Sequence, residues 1–229
     1  MFDRIREDIK AFYEKDPAAK STLEIILAYP GFHAVILHRV AHWLFLRQVP
    51  VLPRLVSHFN RWITGIEIHP GAQLGRRLTI DHGMGIVIGA TAEVGDDVLL
   101  YQGVTLGNAR FQHGKRHPTV GNNVVIGAGA KVLGPITVGE GARVAAGAVV
   151  VNDVPPHTTA AGVPAKAIQY HNPDTGETRR LEQMPDPEGD EIKALRARVG
   201  ELEERLAALE ERDEQDRANE IVTRRRTVA

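Results

Sequence analysis

Two residues of this chain, His82 and Glu67, have side chains suited to removing a proton from a hydroxyl group. A histidine acts as a general base near neutral pH, and a neighbouring carboxylate can hold its ring in one tautomer. His82 lies in the segment IDHGMG at residues 80–85, whose small residues allow a ligand to approach. Spacing alone is equally compatible with two unrelated surface residues, so the elements that carry them decide which interpretation holds.

A repeat of six residues begins at Ile68. Its aliphatic positions are Ile68, Leu74, Ile80, Ile86, Ile88, Val94, Leu100, Leu106, Val120, Ile126, Val132, Val138, Val144 and Val150. Such a chain turns a corner every six residues and points one aliphatic side chain per face inward, so three faces give a coil of roughly 18 residues. We therefore predict a mainly β fold, a parallel β-helix over residues 65–168. The distance of fifteen residues between Glu67 and His82 is compatible with the two side chains lying side by side around one corner of this coil. The pattern does not fix the handedness.

Other elements flank or interrupt the repeat. Residues 1–64 carry apolar residues at spacings of three and four, which predicts an N-terminal α-helical domain of three or four short helices. The repeat stops at residues 107–118, a polar and basic segment that predicts a loop leaving the β-helix. Loops on a rigid scaffold often carry function, although a solvated insertion is the other interpretation.

The end of the chain predicts a separate helical segment. Residues 169–190 are rich in Pro, Gly, Asp and Glu, which is typical of a linker. Residues 191–212 then place apolar side chains at alternating spacings of three and four, at Ile192, Leu195, Val199, Leu202, Leu206 and Leu209. This is the pattern of a coiled-coil helix that self-associates, or of one amphipathic helix packed on its own domain. Residues 213–229 are predicted to be a solvated tail.

Composition narrows the classes of function. The 28 Lys and Arg residues nearly balance the 29 Asp and Glu residues, so the net charge does not favour nucleic acid as a partner. The chain has no cysteine, which excludes disulfides, thiolate metal sites and a cysteine nucleophile. It shows neither a signal peptide nor a long apolar segment, so we expect a cytoplasmic protein without membrane association.

The motifs on these elements resemble those of the bacterial serine acetyltransferases, in their short form, within the hexapeptide-repeat acyltransferases. The resemblance is carried by residues 66–70 (IEIHP), 81–85 (DHGMG), 102–107 (QGVTLG), 115–118 (KRHP) and 159–165 (TAAGVPA), with DPA, GFHA and HRVAHW at residues 16–18, 31–34 and 38–43. It extends from Asp16 to about Ile168. Hexapeptide repeats alone are shared by many acyltransferases, whereas the DHGMG and RHP elements are much more specific.

The resemblance implies a left-handed β-helix that forms a homotrimer, and a reaction in which acetyl-CoA acetylates the hydroxyl of L-serine, the first step from serine to cysteine. It implies that His82 is the general base and Glu67 its orienting carboxylate. It further implies that Asp16, Asp81, Arg116 and His117 bind serine at a subunit interface. This is chemically sensible, since guanidinium and carboxylate groups match the two charges of an amino acid.

The resemblance also implies that acetyl-CoA lies along the β-helix as a co-substrate, with no metal and no permanently bound cofactor. The main chain around Gly107, Ala128, Ala146 and Gly162 would contact it, and Arg143 would meet its nucleotide end or remain solvated. The family's usual feedback inhibition by L-cysteine, competing with serine, is expected here as well.

Three departures from the family pattern qualify this carry-over. Glu67 stands where many members have Asp, and Asn108 follows Gly107 where Gly-Gly is common. Only fifteen residues precede Asp16, so a trimer is expected rather than a pair of trimers. The sequence ends in RRRTVA rather than in the isoleucine that partner-forming members insert into cysteine synthase, which argues against that complex.

Three alternatives remain open from the sequence. A γ-type carbonic anhydrase would hold zinc with three histidines, for which His82, His113 and His117 are candidates, but Arg116 and Asp16 would then have no role. A second possibility is an acetyltransferase for another hydroxyl acceptor, such as homoserine, a sugar or an antibiotic. The third is a trimeric scaffold without activity.

Overall fold

The computed structural model describes residues 2–109, 113–181, 195–203 and 205–206. Its contacts divide the chain into two compact units, residues 1–184 and 185–229. The first unit begins with four helices, α1 (Phe2–Lys15), α2 (Thr22–Ala28), α3 (Pro30–Leu46) and α4 (Leu52–Thr64). This confirms the predicted three or four short helices. No single described helix is long and apolar enough to span a membrane, and α2 and α3 together are bent by 67°.

A β-helix follows the four helices, as predicted. Its short strands are β1 (Glu67–Ile68), β2 (Gln73–Leu74), β3 (Thr79–Asp81), β4 (Val87–Ile88), β5 (Glu93–Val94), β6 (Leu99–Tyr101), β7 (Thr105–Gly107), β8 (Thr119–Val120), β9 (Val125–Ile126), β10 (Lys131–Leu133), β11 (Thr137–Val138), β12 (Arg143–Val144), β13 (Val149–Val150) and β14 (Thr158–Gly162). Two further strands, β15 (Ala165–His171) and β16 (Thr178–Arg180), complete the first unit.

The strands stack in parallel into three faces. Face 1 has the order β1-β4-β7-β10-β13, face 2 the order β2-β5-β8-β11, and face 3 the order β3-β6-β9-β12-β14. The aliphatic positions of the six-residue repeat fill the space between the faces. Nearly all of them, from Ile68 to Val150, are at most 5% exposed. Leu74, at the edge of face 2, is partly buried against the same core. This continuous apolar column is the main core of the protein.

The helical domain is fixed to the first coil of the β-helix by close packing. Gly31, in the first turn of α3, lies against Ile80 of β3, and a Cβ at Gly31 would overlap the carbonyl oxygen of Ile80. Arg76 and Arg77 lie on the corner between β2 and β3. Their ion pairs with Glu7 and Glu14 join this corner to α1. The helices are therefore held directly beneath the corner that carries His82.

The segment predicted to be a linker at residues 169–190 is structured as far as the structure describes it. β14 turns back into antiparallel β15, and β15 pairs with antiparallel β16, so this hairpin extends face 3 beyond the last coil. Its turn at residues 172–176 contains Asn, Pro, Asp and Gly, because turns and linkers favour the same residue types. The rest of the predicted linker, residues 182–190, lies outside the described residues.

The second unit contains a helix over the described residues 195–203 and 205–206. This agrees with the helix predicted for residues 191–212 at the positions that can be compared. The predicted tail, residues 213–229, lies outside the described residues.

Candidate active site

His82 lies at a corner between face 3 and face 1 that is longer than the corner above it. Five residues lie between Asp81 and Val87 here, whereas three lie between Tyr101 and Thr105 in the next coil. The two extra residues are accommodated at His82 and Gly83, whose φ angles are 58° and 76°. A positive φ is uncommon for a residue other than glycine and clusters at functional sites. The corner projects the His82 side chain, which is 76% exposed within one chain.

Glu67 lies next to the same corner. Gly83 packs so closely on Ile66 that a Cβ at Gly83 would overlap the Ile66 side chain, which places the corner against the residue before Glu67. Among the described residues, however, the ion pairs of the two candidates go to different partners. Glu67 Oε2 lies 3.1 Å from Arg61 Nη1, while His82 Nε2 lies 3.9 Å from Asp81 Oδ1. The role of Glu67 as the orienting carboxylate stays a prediction.

Asp16 and Asp81 form an acidic side to this corner. Asp16 follows the end of α1, where its Oδ1 accepts a hydrogen bond from the Ala18 amide over 2.8 Å. Its Oδ2 accepts one from the hydroxyl of Tyr29, also over 2.8 Å. Burial and this bond to Asp16 raise the pKa of Tyr29 to about 12, and the charge of Asp81 adds to the shift. Tyr29 therefore remains a protonated donor between the helices and the His82 corner.

The corners above His82 form a column, which we call the His82 edge: residues 82–85, 102–103, 128–129, 146–147 and 162. Amide-to-carbonyl hydrogen bonds of 2.8–2.9 Å link successive corners, from Gly103 to Met84, from Gly129 to Gln102 and from Gly147 to Ala128. The glycines of these corners have positive φ, and nothing lies within 4 Å of the Cβ positions at Gly129 and Gly147. The edge is therefore an open track of main chain and small residues that begins at His82.

This column contains three of the residues predicted to bind acetyl-CoA, Ala128, Ala146 and Gly162. Arg143 lies on β12 of face 3, with an exposed side chain, three residues before Ala146. Gly107 differs, because it ends β7 at the other side of face 1. Within one chain the structure therefore brings four of the five residues to the side of the β-helix that carries His82.

Arg116 and His117 lie at the opposite side of face 1, on the corners that lead from face 1 to face 2. We call this column the His117 edge: residues 69–72, 89–92 and 116–118. The His117 side chain packs on Gly89, where a Cβ would overlap the imidazole ring. Burial, followed by the charges of Arg116 and Lys115, lowers the pKa of His117. The ring is thus held neutral beside a guanidinium group.

Thr91 organises this second group. Its hydroxyl Oγ1 accepts the amide protons of Arg116 and His117 over 3.1 and 3.2 Å and lies 2.9 Å from His117 Nδ1. The Thr91 amide also points at Nδ1, over 3.2 Å. Because an amide can only donate, Nδ1 is an acceptor and the ring proton lies on Nε2. The hydroxyl of Thr91 must then donate to Nδ1 as well.

Three residues of these two groups were not singled out as site residues by the sequence alone: Tyr29, Thr91 and His69. His69 occupies the His117 edge one coil below Thr91. Burial first, and then the charges of Arg54, Arg116 and His117, lower its pKa to about 4. His69, which lies in the IEIHP motif, thus belongs to the same electropositive corner.

Two histidines of α3, His38 and His42, lie against residues 69–72, the first coil of the His117 edge. His42 Nδ1 contacts the Pro70 carbonyl over 2.7 Å, and its ring stacks on that of His38 at 5.6 Å between centroids. His38 is buried, its Nδ1 has no partner in the described structure, and burial lowers its pKa to about 3. Among the residues that the structure describes, no group of three His, Asp or Glu side chains is placed to hold a metal ion.

Comparison with known proteins identifies the group to which this arrangement belongs. The family model "Serine acetyltransferase, N-terminal" matches residues 1–36, and "Bacterial transferase hexapeptide (six repeats)" matches residues 117–152. The serine acetyltransferase of Synechococcus elongatus is 53% identical to this chain, over 91% of the chain and 85% of the relative. The chain belongs to the serine acetyltransferase family. The Mycobacterium tuberculosis member of the family is 52% identical, over 89% of this chain and 88% of its own.

Solved structures of serine acetyltransferases share the fold. The enzyme from Brucella abortus in complex with coenzyme A has a TM-score of 0.72 and 41% identity, over 79% of this chain and 69% of that one. The Neisseria gonorrhoeae enzyme in complex with serine has a TM-score of 0.70 and 42% identity, over 73% and 68%. A serine acetyltransferase in complex with cysteine has a TM-score of 0.71 and 40% identity, over 72% and 69%. These matches confirm the predicted hexapeptide-repeat β-helix.

Proposed function

We propose that this member of the serine acetyltransferase family transfers the acetyl group of acetyl-CoA to the hydroxyl of L-serine with His82 as the general base. The observation that carries the proposal is the His82 edge. It joins an exposed histidine, an acidic pair at Asp16 and Asp81, and an open main-chain track of the kind that a long thioester can follow. The histidine acts on the serine hydroxyl, the acidic pair binds serine, and the track binds acetyl-CoA.

The chemistry needs a single proton carrier. His82 takes the proton of the serine hydroxyl while the serine oxygen bonds to the thioester carbonyl carbon of acetyl-CoA. The bond from that carbon to sulfur then breaks, and the protonated His82 returns its proton to the departing thiolate. General base catalysis of this kind contributes roughly 10² to 10⁴ to the rate, and positioning of the two substrates contributes more.

Serine is a zwitterion, and the two groups of charged side chains match its two ends. The carboxylates of Asp16 and Asp81 accept hydrogen bonds from the ammonium group. Arg116 donates to the carboxylate, and the Nε2 proton of His117 gives a second, neutral donor beside it. Without such partners the charges of serine would lose their hydration uncompensated.

Acetyl-CoA lies along the His82 edge in this proposal. Its pantetheine arm contacts the corners at Ala128, Ala146 and Gly162, where main-chain groups and open space replace side chains. The exposed Arg143, near the upper part of the track, meets the negative charge of the nucleotide end. Gly107, which ends β7 on the side of face 1 where the His117 edge lies, contacts the thioester.

The complete site forms between two copies of the chain, in a homotrimer. His82 and Arg116 lie on opposite sides of face 1, so a neighbouring copy must bring its His117 edge to the His82 edge of the first. Helix α4 supports an interface here. Its buried face is polar, with Ser57 and Asn60 bonded to main-chain carbonyls of Ile68 and Ala34, while its exposed face carries Leu55, Phe59 and Trp62. An apolar outer face with a polar inner one marks a surface that meets another protein.

L-cysteine is proposed as a competitor at the serine site, because it carries the same ammonium and carboxylate groups and a thiol in place of the hydroxyl. A complex with cysteine synthase is not part of the proposal. A cytoplasmic location stays a prediction from the sequence and is tested by fractionation.

The experiment follows CoA release from acetyl-CoA in the presence of L-serine. Wild type, His82→Ala and the matched control His113→Ala, which removes an exposed loop histidine, are compared. We expect serine-dependent release that falls by about 10² to 10⁴ in His82→Ala alone. CoA release with homoserine or a sugar but not with serine would show that the acetyl acceptor is not serine. Absence of release with every acceptor would support the scaffold instead.

A further inference from the structure

The helix of the second unit exposes a complete apolar stripe. Leu195, Val199, Leu202 and Leu206 follow one another at spacings of four, three and four, and each is at least 50% exposed. These are the a and d positions of a heptad, with d at Leu195 and a at Val199. The sequence repeats the same spacing at Ile192 and Leu209, outside the described residues.

This helix has little intrinsic stability that would explain the stripe. In proteins most of the stability of a helix comes from packing of its apolar face, and Gly200 costs roughly 1 kcal/mol relative to alanine in a helix interior. Ion pairs from Arg198 and Arg205 to Glu201 lie on the surface and contribute little. Packing of the apolar stripe against a partner is therefore the main source of stability available to it.

The charges beside the stripe indicate which partner fits. In a parallel coiled coil, the g residue of one helix faces the e residue five positions later in the other. Arg198 occupies g and Glu203 the following e, which is an attractive pair. By sequence, the same rule pairs Glu191 with Arg196 and Arg205 with Glu210. In each of the three pairs the two residues have opposite charges. The acidic residue is at g in the pair of Glu191 with Arg196 and at e in the other two.

An antiparallel arrangement would face g with g and e with e. The g positions Glu191, Arg198 and Arg205 are mixed in sign, as are the e positions, so no such systematic attraction results. We infer that the helix described at residues 195–203 and 205–206 forms a parallel, in-register coiled coil with the same helix of further copies of this chain. The partner is thus another copy, and the pairing is independent of the catalytic site.

The lack of cysteine in the chain makes the register measurable. Single cysteines are introduced into the full-length protein as Leu195→Cys or Leu206→Cys, and the rate of disulfide-linked dimer formation is followed under mild oxidation. These positions are about 16 Å apart along a helix. In a parallel, in-register pair each residue meets its own copy, so both variants cross-link. In an antiparallel pair each end meets the other end, and neither single variant does.

Ala197→Cys is the matched control, because position f faces away from the stripe. We expect both stripe variants to cross-link at least about tenfold faster than Ala197→Cys, as a high local concentration requires. Equal rates in all three variants would overturn the proposal and favour a helix that packs on its own chain. Cross-linking only in the double variant Leu195→Cys with Leu206→Cys would overturn the parallel arrangement.

A charge exchange tests the pairing without touching the stripe. In the Leu206→Cys background, Arg198→Glu places two acidic residues opposite each other and slows cross-linking. Adding Glu203→Arg restores the opposite signs and the rate. If the second change slows cross-linking further, Arg198 and Glu203 do not face each other and the register is wrong.

Discussion

Tyr29 donates a hydrogen bond from its hydroxyl to Oδ2 of Asp16 over 2.8 Å, and thereby joins the start of α3 to the end of α1. The second oxygen of Asp16 is held by the Ala18 amide. With both oxygens held, the carboxylate keeps one orientation. The bond is thus a link between the helical domain and the proposed ammonium site.

Tyr29→Phe removes this donor and leaves the ring. We expect the serine KM to rise about 5- to 20-fold, as the loss of a hydrogen bond to a charged group would give, while the acetyl-CoA KM and kcat change little. Steady-state kinetics with each substrate varied in turn measures the difference. Tyr13→Phe is the matched control, because the Tyr13 hydroxyl bonds Thr22 on the surface. Equal effects of the two changes would show that Asp16 does not depend on Tyr29.

Thr91 is expected to act on serine through Arg116 and His117. Thr91→Val keeps the shape of the side chain but removes the hydroxyl, so two amides lose their acceptor and His117 Nδ1 loses a donor. We expect a rise in serine KM of about tenfold, and Thr91→Ser should recover most of it.

A purely structural effect of Thr91 would be visible elsewhere. Nitrogen-15 NMR of His117 follows the ring, which the Thr91 amide should keep in the Nε2–H form in all three proteins, while the Nδ1 resonance should move only in Thr91→Val, where the hydroxyl donor is lost. A Thr91→Val enzyme with lower thermal stability but an unchanged Nδ1 resonance and an unchanged serine KM would rule out the positioning role.

The fold was predictable because its signal is local and repeated. Every coil of the β-helix reuses the six-residue spacing, and the step of eight from Ile80 to Ile88 marks the enlarged corner at His82. The hairpin at β15 and β16 was not predictable in the same way. Its turn shares Asn, Pro, Asp and Gly with linkers, and only pairing with β14 makes it part of the β-helix.

The candidate site was predictable only in part. The motifs named His82, Asp16 and Arg116, but a hydrogen bond such as that of Tyr29 joins residues thirteen positions apart in a geometry that no periodic pattern encodes. The same holds for Thr91, whose hydroxyl meets a segment twenty-five residues later, after a loop. Sequence spacing identifies the residues that carry the chemistry better than those that hold them in position.

His38 makes the stability of the protein depend on pH. Its pKa is lowered by burial to about 3 from an ordinary value of 6.5, so the folded state keeps it neutral while the unfolded state binds a proton. Stability is therefore complete above the unfolded pKa and is lost as the pH falls below 6.5. From pH 7 to pH 5.5 this one group costs on the order of 1 kcal/mol.

His38→Gln removes the titration and keeps a polar side chain. The free energy of unfolding, measured with urea at pH 7 and pH 5.5, should fall on the order of 1 kcal/mol less in His38→Gln than in wild type over this interval. Carboxylates titrate mostly below this range, and the comparison cancels their remaining contribution. The exposed His113→Gln should behave like wild type. An identical pH dependence in all three proteins would contradict the buried, neutral state of His38.

The proposed division of the site between two copies gives the sharpest test of the proposed trimer. His82→Ala and His117→Ala chains should each be nearly inactive, because each lacks one half of every site. In a mixed trimer, one interface pairs an intact His82 with an intact His117. In a random mixture of equal amounts, the chain that supplies His82 to a site is intact there with a probability of about one half, and so is the chain that supplies His117. About one quarter of the wild-type activity should therefore be restored. The chains are mixed by co-expression; isolating the mixed trimers with two tags should raise the activity to about one third of wild type, because one of their three sites is intact. Activity that stays at the sum of the two separate variants would place His82 and His117 of one chain in the same site and refute the shared interface.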